Sequence, residues 1–418
     1  MKALKYSKYL RCIFGYKPMS TNIGDETDEA LKEVILFYRY VKVEDVDKVV
    51  GHSLAMLRGK LLGRLLVASE GFNGTLWGAH AQLTEFMEYM ESMYGSFDWK
   101  ISTCGDPPFP SLSVREVKEI VSTGPAKALI AEQVEFDASS FGGLSGGGVH
   151  LDPLEFHNQL KSRDPAKSLL IDVRNEFESA VGSFRGSIPL NTVTYSQTWS
   201  VLDDIIDRCV EPTTVYMFCT GGVRCEKASA YLKRKGIEKV FQLRGGICRY
   251  QEAKFDDSEF VGKNFNFDAR ATLSQNGTDR DVAVGTCLEC QKPHDEYSGR
   301  VCCTVCRQPA LFCLSCQETN PHPGEFHCAR HRWLKNVYFN VLDRHEDNEL
   351  AWQLDELSRL WRDLLPLKAR GKNKRRTIEN QKRKIENELR ARREGLREPA
   401  VVGEVPNPKA TLWGFWQG

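Results

Sequence analysis

The chain has 418 residues, 41% hydrophobic and 27% charged, with 57 Lys and Arg against 56 Asp and Glu. This composition excludes a disordered chain and allows two to four domains at roughly 100–200 residues each. The net charge of +1 names no class of partner, and no run of 18 apolar residues offers a membrane span, so no membrane partner is expected.

Residues 1–30 carry Lys2, Lys5, Lys8, Arg11 and Lys17 before any acid. They suit an organelle transit segment or a solvated basic arm with Met19 near a natural start. Arg11 interrupts the one apolar run, so no secretory signal is read. The expected compartment is the cytoplasm, with mitochondrion or plastid as the alternative. VILFYRYV (34–41) predicts a strand, 44–58 a helix, GRLLVASEGFNGTLWG (63–78) two strands about a turn, 79–94 a helix and WKIS (99–102) a last strand. The order β-α-β-β-α-β predicts a ferredoxin-like domain over 31–128. Residues 129–148 end in FGGLSGGGVH and read as a linker. Over 149–260, LLIDV, TVYMF and KVFQL are short apolar runs alternating with helical stretches such as EKASAYLKRKG, the pattern of a buried parallel sheet. A cysteine-rich module spans 285–335, a helical basic tail 340–398 and an aromatic segment with Trp413, Phe415 and Trp416 spans 399–418. No internal repeat is evident. The fold class is therefore mixed α/β and α+β in several domains.

Cys219 follows the run TVYMF directly and opens the loop CTGGVR. A thiol at the carboxyl end of a parallel strand occupies the usual site of an open α/β sheet. Gly221 and Gly222 let the backbone turn its N–H groups inward, the following helix adds its positive end, and Arg224 adds fixed charge. Together they favour a thiolate or persulfide on Cys219. Cysteine phosphatases with a similar loop place five residues between nucleophile and arginine. Here the four residues Thr220, Gly221, Gly222 and Val223 make a smaller ring, suited to a sulfur atom or another small group. Cys225 reads either as a partner that resolves an oxidised Cys219 or as a small buried residue opening the helix. Glu226 suits the helix dipole, His150 reads as structural, and Cys104 and Cys248 read as core or surface thiols.

CTGGVR resembles the active loop of rhodaneses, with Cys219 as sulfur carrier. LLIDVRNEFE (169–178) resembles their Asp-x-Arg element, here Asp172 and Arg174, whose implied role is structural. RCEKASAYL, GVHL (148–151), LRGGI (243–247), EGFNGT (70–75) and PFPSLSVREVKEIVSTG (108–124) together resemble the rhodanese-domain tRNA uridine hydroxylases. That resemblance implies a rhodanese domain, tRNA as partner, molecular oxygen as co-substrate and 5-hydroxylation of wobble uridine 34, with Cys219 essential and Arg224 and Cys225 beside it. No nucleotide cofactor is evident. The alternatives are a sulfurtransferase moving sulfane sulfur from a donor through a Cys219 persulfide, and a non-enzymatic RNA-binding or scaffold protein.

Eight of the 14 cysteines fall between 287 and 328. The pairs Cys287/Cys290, Cys303/Cys306, Cys313/Cys316 and Cys328/His331 each have a two-residue spacer, and eight ligands suffice for two closed structural zinc sites. Adjacent pairs can share an ion, or first can join third and second join fourth. Cys302 competes with Cys303, and His327 with His331. From 368 to 398 there are 13 Lys and Arg against 5 Asp and Glu, without an apolar stripe wide enough for a core. This stretch suits an RNA backbone, a solvated helix or, at KNKRR (372–376), a nuclear signal. The oligomeric state is not legible.

Overall fold

A computed structural model describes residues 31–124, 135–137, 140–208, 214–273, 283–298, 301–320, 324–334, 342, 345–366 and 372–396. The basic arm at 1–30 and the aromatic segment at 399–418 lie outside the described residues.

The N-terminal unit is β1 (Lys32–Tyr40), α1 (Val46–Leu57), β2 (Leu62–Ala68), β3 (Gly71–Ala79), α2 (His80–Tyr94) and β4 (Lys100–Thr103). The sheet order is β4-β1-β3-β2, with β5 (Leu112–Glu116) added in parallel beside β2. Strand alternation divides its residues between two faces. Ile35, Phe37, Leu65, Val67, Phe72 and Leu76 form the core with Leu83, Phe86 and Met90 of α2. Pairing of Leu36 with Thr75, Tyr38 with Asn73, and Leu66 with both Asn73 and Arg115 puts the alternate residues on the opposite, helix-free face.

The second unit runs β6 (Val149–Leu151), α3 (Pro153–Ser162), β7 (Ser168–Asp172), α4 (Glu176–Ser179), β8 (Gly182–Phe184), β9 (Ile188–Pro189), α5 (Thr198–Ile206), β10 (Thr214–Phe218), α6 (Val223–Arg234), β11 (Val240–Leu243) and α7 (Gly246–Glu252). Its parallel sheet has the order β6-β11-β10-β7-β9. Val215 and Met217 of β10 point into one core layer, and Tyr216 and Phe218 into the other. Both faces are covered, which is why the strand is apolar throughout. Arg174 donates to Asp172 through Nε at 2.9 Å and Nη2 at 2.6 Å and to the Gly182 carbonyl, tying β7 to β8.

The glycines of FGGLSGGGVH serve close approach as well as connection. Tyr40 N–H donates to Gly142 O, and a Cβ at Gly142 would fall 1.8 Å from Glu226 Oε1. Gly148 is clasped by Ser229 and Gln242. After the cysteine-rich module with its short α8 (Leu314–Glu318), a hairpin of α9 (Asp347–Asp363) and α10 (Lys372–Arg393) ends the described chain. Here the expectation of a tail without a core is corrected. Leu350, Leu357 and Leu364 meet Ile378, Ile385 and Leu389 in a buried seam. Sevenfold spacing makes that seam narrow, but two facing helices close it as in a coiled coil. Lys374, Arg376, Arg383, Lys384 and Arg390 remain exposed. Among the described residues no helix is long and apolar enough to cross a membrane.

Candidate active site and metal centres

β10 delivers Cys219 to the start of a tight loop, and α6 begins at Val223. Gly222 adopts φ +105°, a conformation that L side chains rarely adopt, and a Cβ there would lie 2.9 Å from Tyr38 Oη. This turn aims the Gly222 N–H at Cys219 Sγ, 3.1 Å away. Burial pushes the Cys219 thiol up. The Cys225 thiol donating to its sulfur, the Arg224 charge, and the backbone N–H groups of Arg224 and Gly222 outweigh that and hold it at about 5. Cys225 is driven the other way, well above the ordinary thiol value, by burial and then by the Cys219 sulfur. The pair thus holds one anionic and one protonated sulfur at neutral pH. Both side chains are fully buried.

Arg224 does not aim a free charge into solvent. Its Nη1 and Nη2 bind Glu178 Oε2 and Oε1 at 2.6 and 2.7 Å, and Thr220 Oγ1 donates to the same carboxylate at 3.2 Å. Glu178 is placed by the capping box of α4, in which Asn175 N–H donates to it. The ring of Phe267 covers the guanidinium at 5.7 Å. Glu178 closes the string LLIDVRNEFE, and the sequence alone assigns it no task. The signal available there is an acid four residues beyond Arg174, in the first turn of a helix.

The helix-free face of the N-terminal sheet closes over the loop. Tyr38 donates to Glu226 Oε1 at 2.8 Å, and Tyr40 to the Val223 carbonyl. Glu226 is fully buried rather than merely complementing the helix dipole, with His150 Nε2 2.8 Å away and Gln242 donating at 3.3 Å. Lys227 reaches Glu70 at 2.8 Å and Glu119 at 3.2 Å. These contacts explain why EGFNGT and SVREVKE accompany the cysteine loop: they are the other half of the joint. Asp98, held down to about 2 chiefly by Lys100 and Arg249 against the effect of burial, makes a second joint to α7.

Between sheet and loop lies a cleft of about 500 Å³. Thr220, Gly221, Val223 and Arg224 form its floor, Leu36, Tyr38, Asn73 and Thr75 its roof, and Phe109, Phe177, Tyr195 and Phe267 its aromatic walls. Arg64 and Arg115 also line it. Cys219 itself lies just behind the floor. Cys248 and Cys104 are both half-buried; desolvation pushes the Cys248 thiol up to about 11, and the Cys248 N–H donates to the Thr220 carbonyl.

The eight cysteine-module ligands form two groups. Cys287, Cys290, Cys313 and Cys316 make one, and Cys303, Cys306, Cys328 and His331 the other, with all ligand atoms in each group within 4.8 Å of one another. First therefore joins third, and second joins fourth. Sulfur separations of 3.7 Å (Cys290 to Cys313) and 3.9 Å (Cys306 to Cys328) match the edge of about 3.8 Å of a tetrahedron with zinc–sulfur bonds of about 2.3 Å. The donor sets can thus hold metal ions. The groups also expose a repeat that was not evident in the sequence. CLECQKP (287–293) and CTVCRQP (303–309) fold alike, with Gln291 and Arg307 both left-handed and matching bridges from Thr286 to Pro293 and from Cys302 to Pro309. Cys302 occupies the place of Thr286, on the flanking bridge, and this selects Cys303 as the ligand.

Residues 32–120 match the model described as a UPF0176 acylphosphatase-like domain, 152–253 the rhodanese-like domain and 261–330 the rhodanese C-terminal domain. "Rhodanese-like domain-containing protein 6" of Arabidopsis thaliana is 32% identical over 84% of this chain, and this chain spans 58% of that relative's length. The "tRNA uridine(34) hydroxylase" of Pseudarthrobacter chlorophenolicus is 30% identical over 71% of this chain and 98% of its own, and that of Bacillus pumilus 34% over 63% and 78%. At 30% identity and with nearly the full length of such a relative covered, the chain belongs to the tRNA uridine(34) hydroxylase family.

Proposed function

We propose that this protein hydroxylates C5 of uridine 34 in tRNA, with Cys219 as the essential residue and Arg224 and Cys225 setting its charge state. The observation that carries this reading is the Cys219 sulfur, which accepts from the Gly222 N–H at 3.1 Å directly beneath a cleft with aromatic walls, large enough for one base. A wobble base in a single-stranded loop is extruded at little cost, and aromatic side chains are the usual surfaces on which it stacks. One atom of dioxygen enters at C5, and the other leaves as water with two electrons and two protons from an external reductant. Thiolate addition at C6 would make C5 nucleophilic. Because Cys219 lies behind the floor, this requires the Gly221–Gly222 turn to swing aside when the base enters. Arg224, neutralised by Glu178, favours a neutral base over an anionic sulfur donor at the floor.

Zinc suits both metal groups, which would fold the module and keep no open position for substrate. The exposed cations of α10 suit an RNA backbone.

The test is mass spectrometry of tRNA nucleosides from a deletion strain carrying wild type or Cys219→Ala. The proposal expects 5-hydroxyuridine-derived nucleosides with the wild type and none with the variant. Equal amounts in both would remove Cys219 from the chemistry. Rapid sulfur transfer from thiosulfate to cyanide with unchanged tRNA would favour the sulfurtransferase alternative.

A further inference from the structure

Arg64 on β2 and Arg115 on β5 lie on the face of the N-terminal sheet that roofs the cleft. Their strands are adjacent and parallel. Arg64 pairs in register with Ser113 and Leu66 with Arg115, so the two guanidinium-bearing residues are diagonal neighbours on one face. Both are only partly exposed and both line the cleft. Arg64 is pulled below its ordinary value by burial and then by the charge of Arg115. Two cations are therefore held side by side in the half-buried lining of the cleft, a pairing of donors suited to an anionic ligand group.

Their distance from the loop gives the anion its identity. Leu36 and Tyr38, which pack over Gly221 and Gly222, sit on β1. Arg64 is two strands away across β3, about 10 Å at the ordinary interstrand spacing. The intervening roof consists of Asn73 and Thr75, small polar side chains suited to a sugar. Floor, polar roof and paired cations thus follow the order of base, ribose and phosphate along one nucleotide and its neighbour.

We infer that Arg64 and Arg115 form a subsite for a backbone phosphodiester flanking the base that enters above Cys219. The inference rests on the RNA-substrate reading above. It assigns these arginines to positioning the strand, with no part in the redox step.

The test measures binding of the full-length protein to an anticodon stem–loop, with a neutral methylphosphonate placed in turn on the 5′ and the 3′ side of uridine 34. One of the two replacements should weaken wild-type binding at least tenfold, about 1.4 kcal/mol or more, and leave an Arg64→Gln/Arg115→Gln variant unaffected. The salt slope should fall by about 0.7 for each phosphate charge that the variant no longer neutralises. Wild-type affinity indifferent to both methylphosphonates, or a variant still as sensitive as the wild type, overturns the subsite. So does uptake of inorganic phosphate alone without any effect of the modified RNAs. The methylphosphonate arm on wild type needs no variant to fold. Hydroxyuridine formation is read in the same samples. Arginine-dependent phosphate binding without product refutes the hydroxylase reading alone, whereas product formation indifferent to both arginines and both modified RNAs refutes the subsite alone.

Discussion

Removing the carboxylate of Glu178 probes the support of the cysteine loop most sharply. Glu178 is fully buried and accepts from both terminal nitrogens of Arg224 at 2.6 and 2.7 Å, from Thr220 Oγ1 and from the Asn175 N–H. Glu178→Ala leaves the buried Arg224 cation without its counter-charge. Breaking such a pair from one side costs about 3–5 kcal/mol, roughly a hundredfold to several thousandfold in the folded-to-unfolded ratio. Glu178→Gln keeps the shape and one acceptor and should fall at the low end. Replacing both partners, as Glu178→Met with Arg224→Met, should cost clearly less than the sum of the single changes, because no charge is then left buried. Urea unfolding of the full-length single and double variants, followed by tryptophan fluorescence, measures the cycle. Single variants within about 0.5 kcal/mol of wild type, or a double variant showing the full sum, would refute the reasoning.

Four further outcomes follow from the same geometry. Alkylation of Cys219 should titrate with a midpoint at about pH 5, the thiolate predominating above it and lost below it. The plateau rate should stay below that of an exposed thiolate because the sulfur is buried. Cys225→Ala removes a donor to the sulfur and should raise that midpoint toward the ordinary thiol value, read from the same pH series. Gly222→Ala forces a side chain into φ +105° against Tyr38 and should cost about 1–3 kcal/mol by thermal unfolding while raising the Cys219 midpoint. Metal analysis should find two zinc ions per chain and one in Cys303→Ser, with Cys302→Ser unchanged at two.

What was legible in the sequence was whatever has a local signature. The branched and aromatic run VILFYRYV and the β-α-β-β-α-β order identified the N-terminal sheet, and continuous apolarity in TVYMF identified a strand buried on both faces. The two-residue spacers identified the candidate metal ligands but not their grouping, because pairing depends on how the two knuckles stack. The choice of Cys303 over Cys302 was present as C-x2-C-[QR]-x-P, a repeat too short to stand out until both copies showed the same left-handed residue. What escaped was tertiary. Tyr38 and Glu226 are 188 positions apart, and nothing local marks a tyrosine in a strand as the cover of a distant loop. Glu226 lies in the first turn of its helix as the sequence suggests, but the N-terminal sheet buries that face, which no local signal marks. The tail looked coreless because its seam is one residue wide and needs α9 to complete it.

The most direct test of the account is single-turnover reaction of the purified full-length protein with an anticodon stem–loop under ¹⁸O₂ and a thiol reductant, with Cys219→Ala in parallel. The account predicts a hydroxyl carrying one ¹⁸O on uridine 34 with the wild type and no product with the variant. Product without label, or equal labelled product from both proteins, would contradict it.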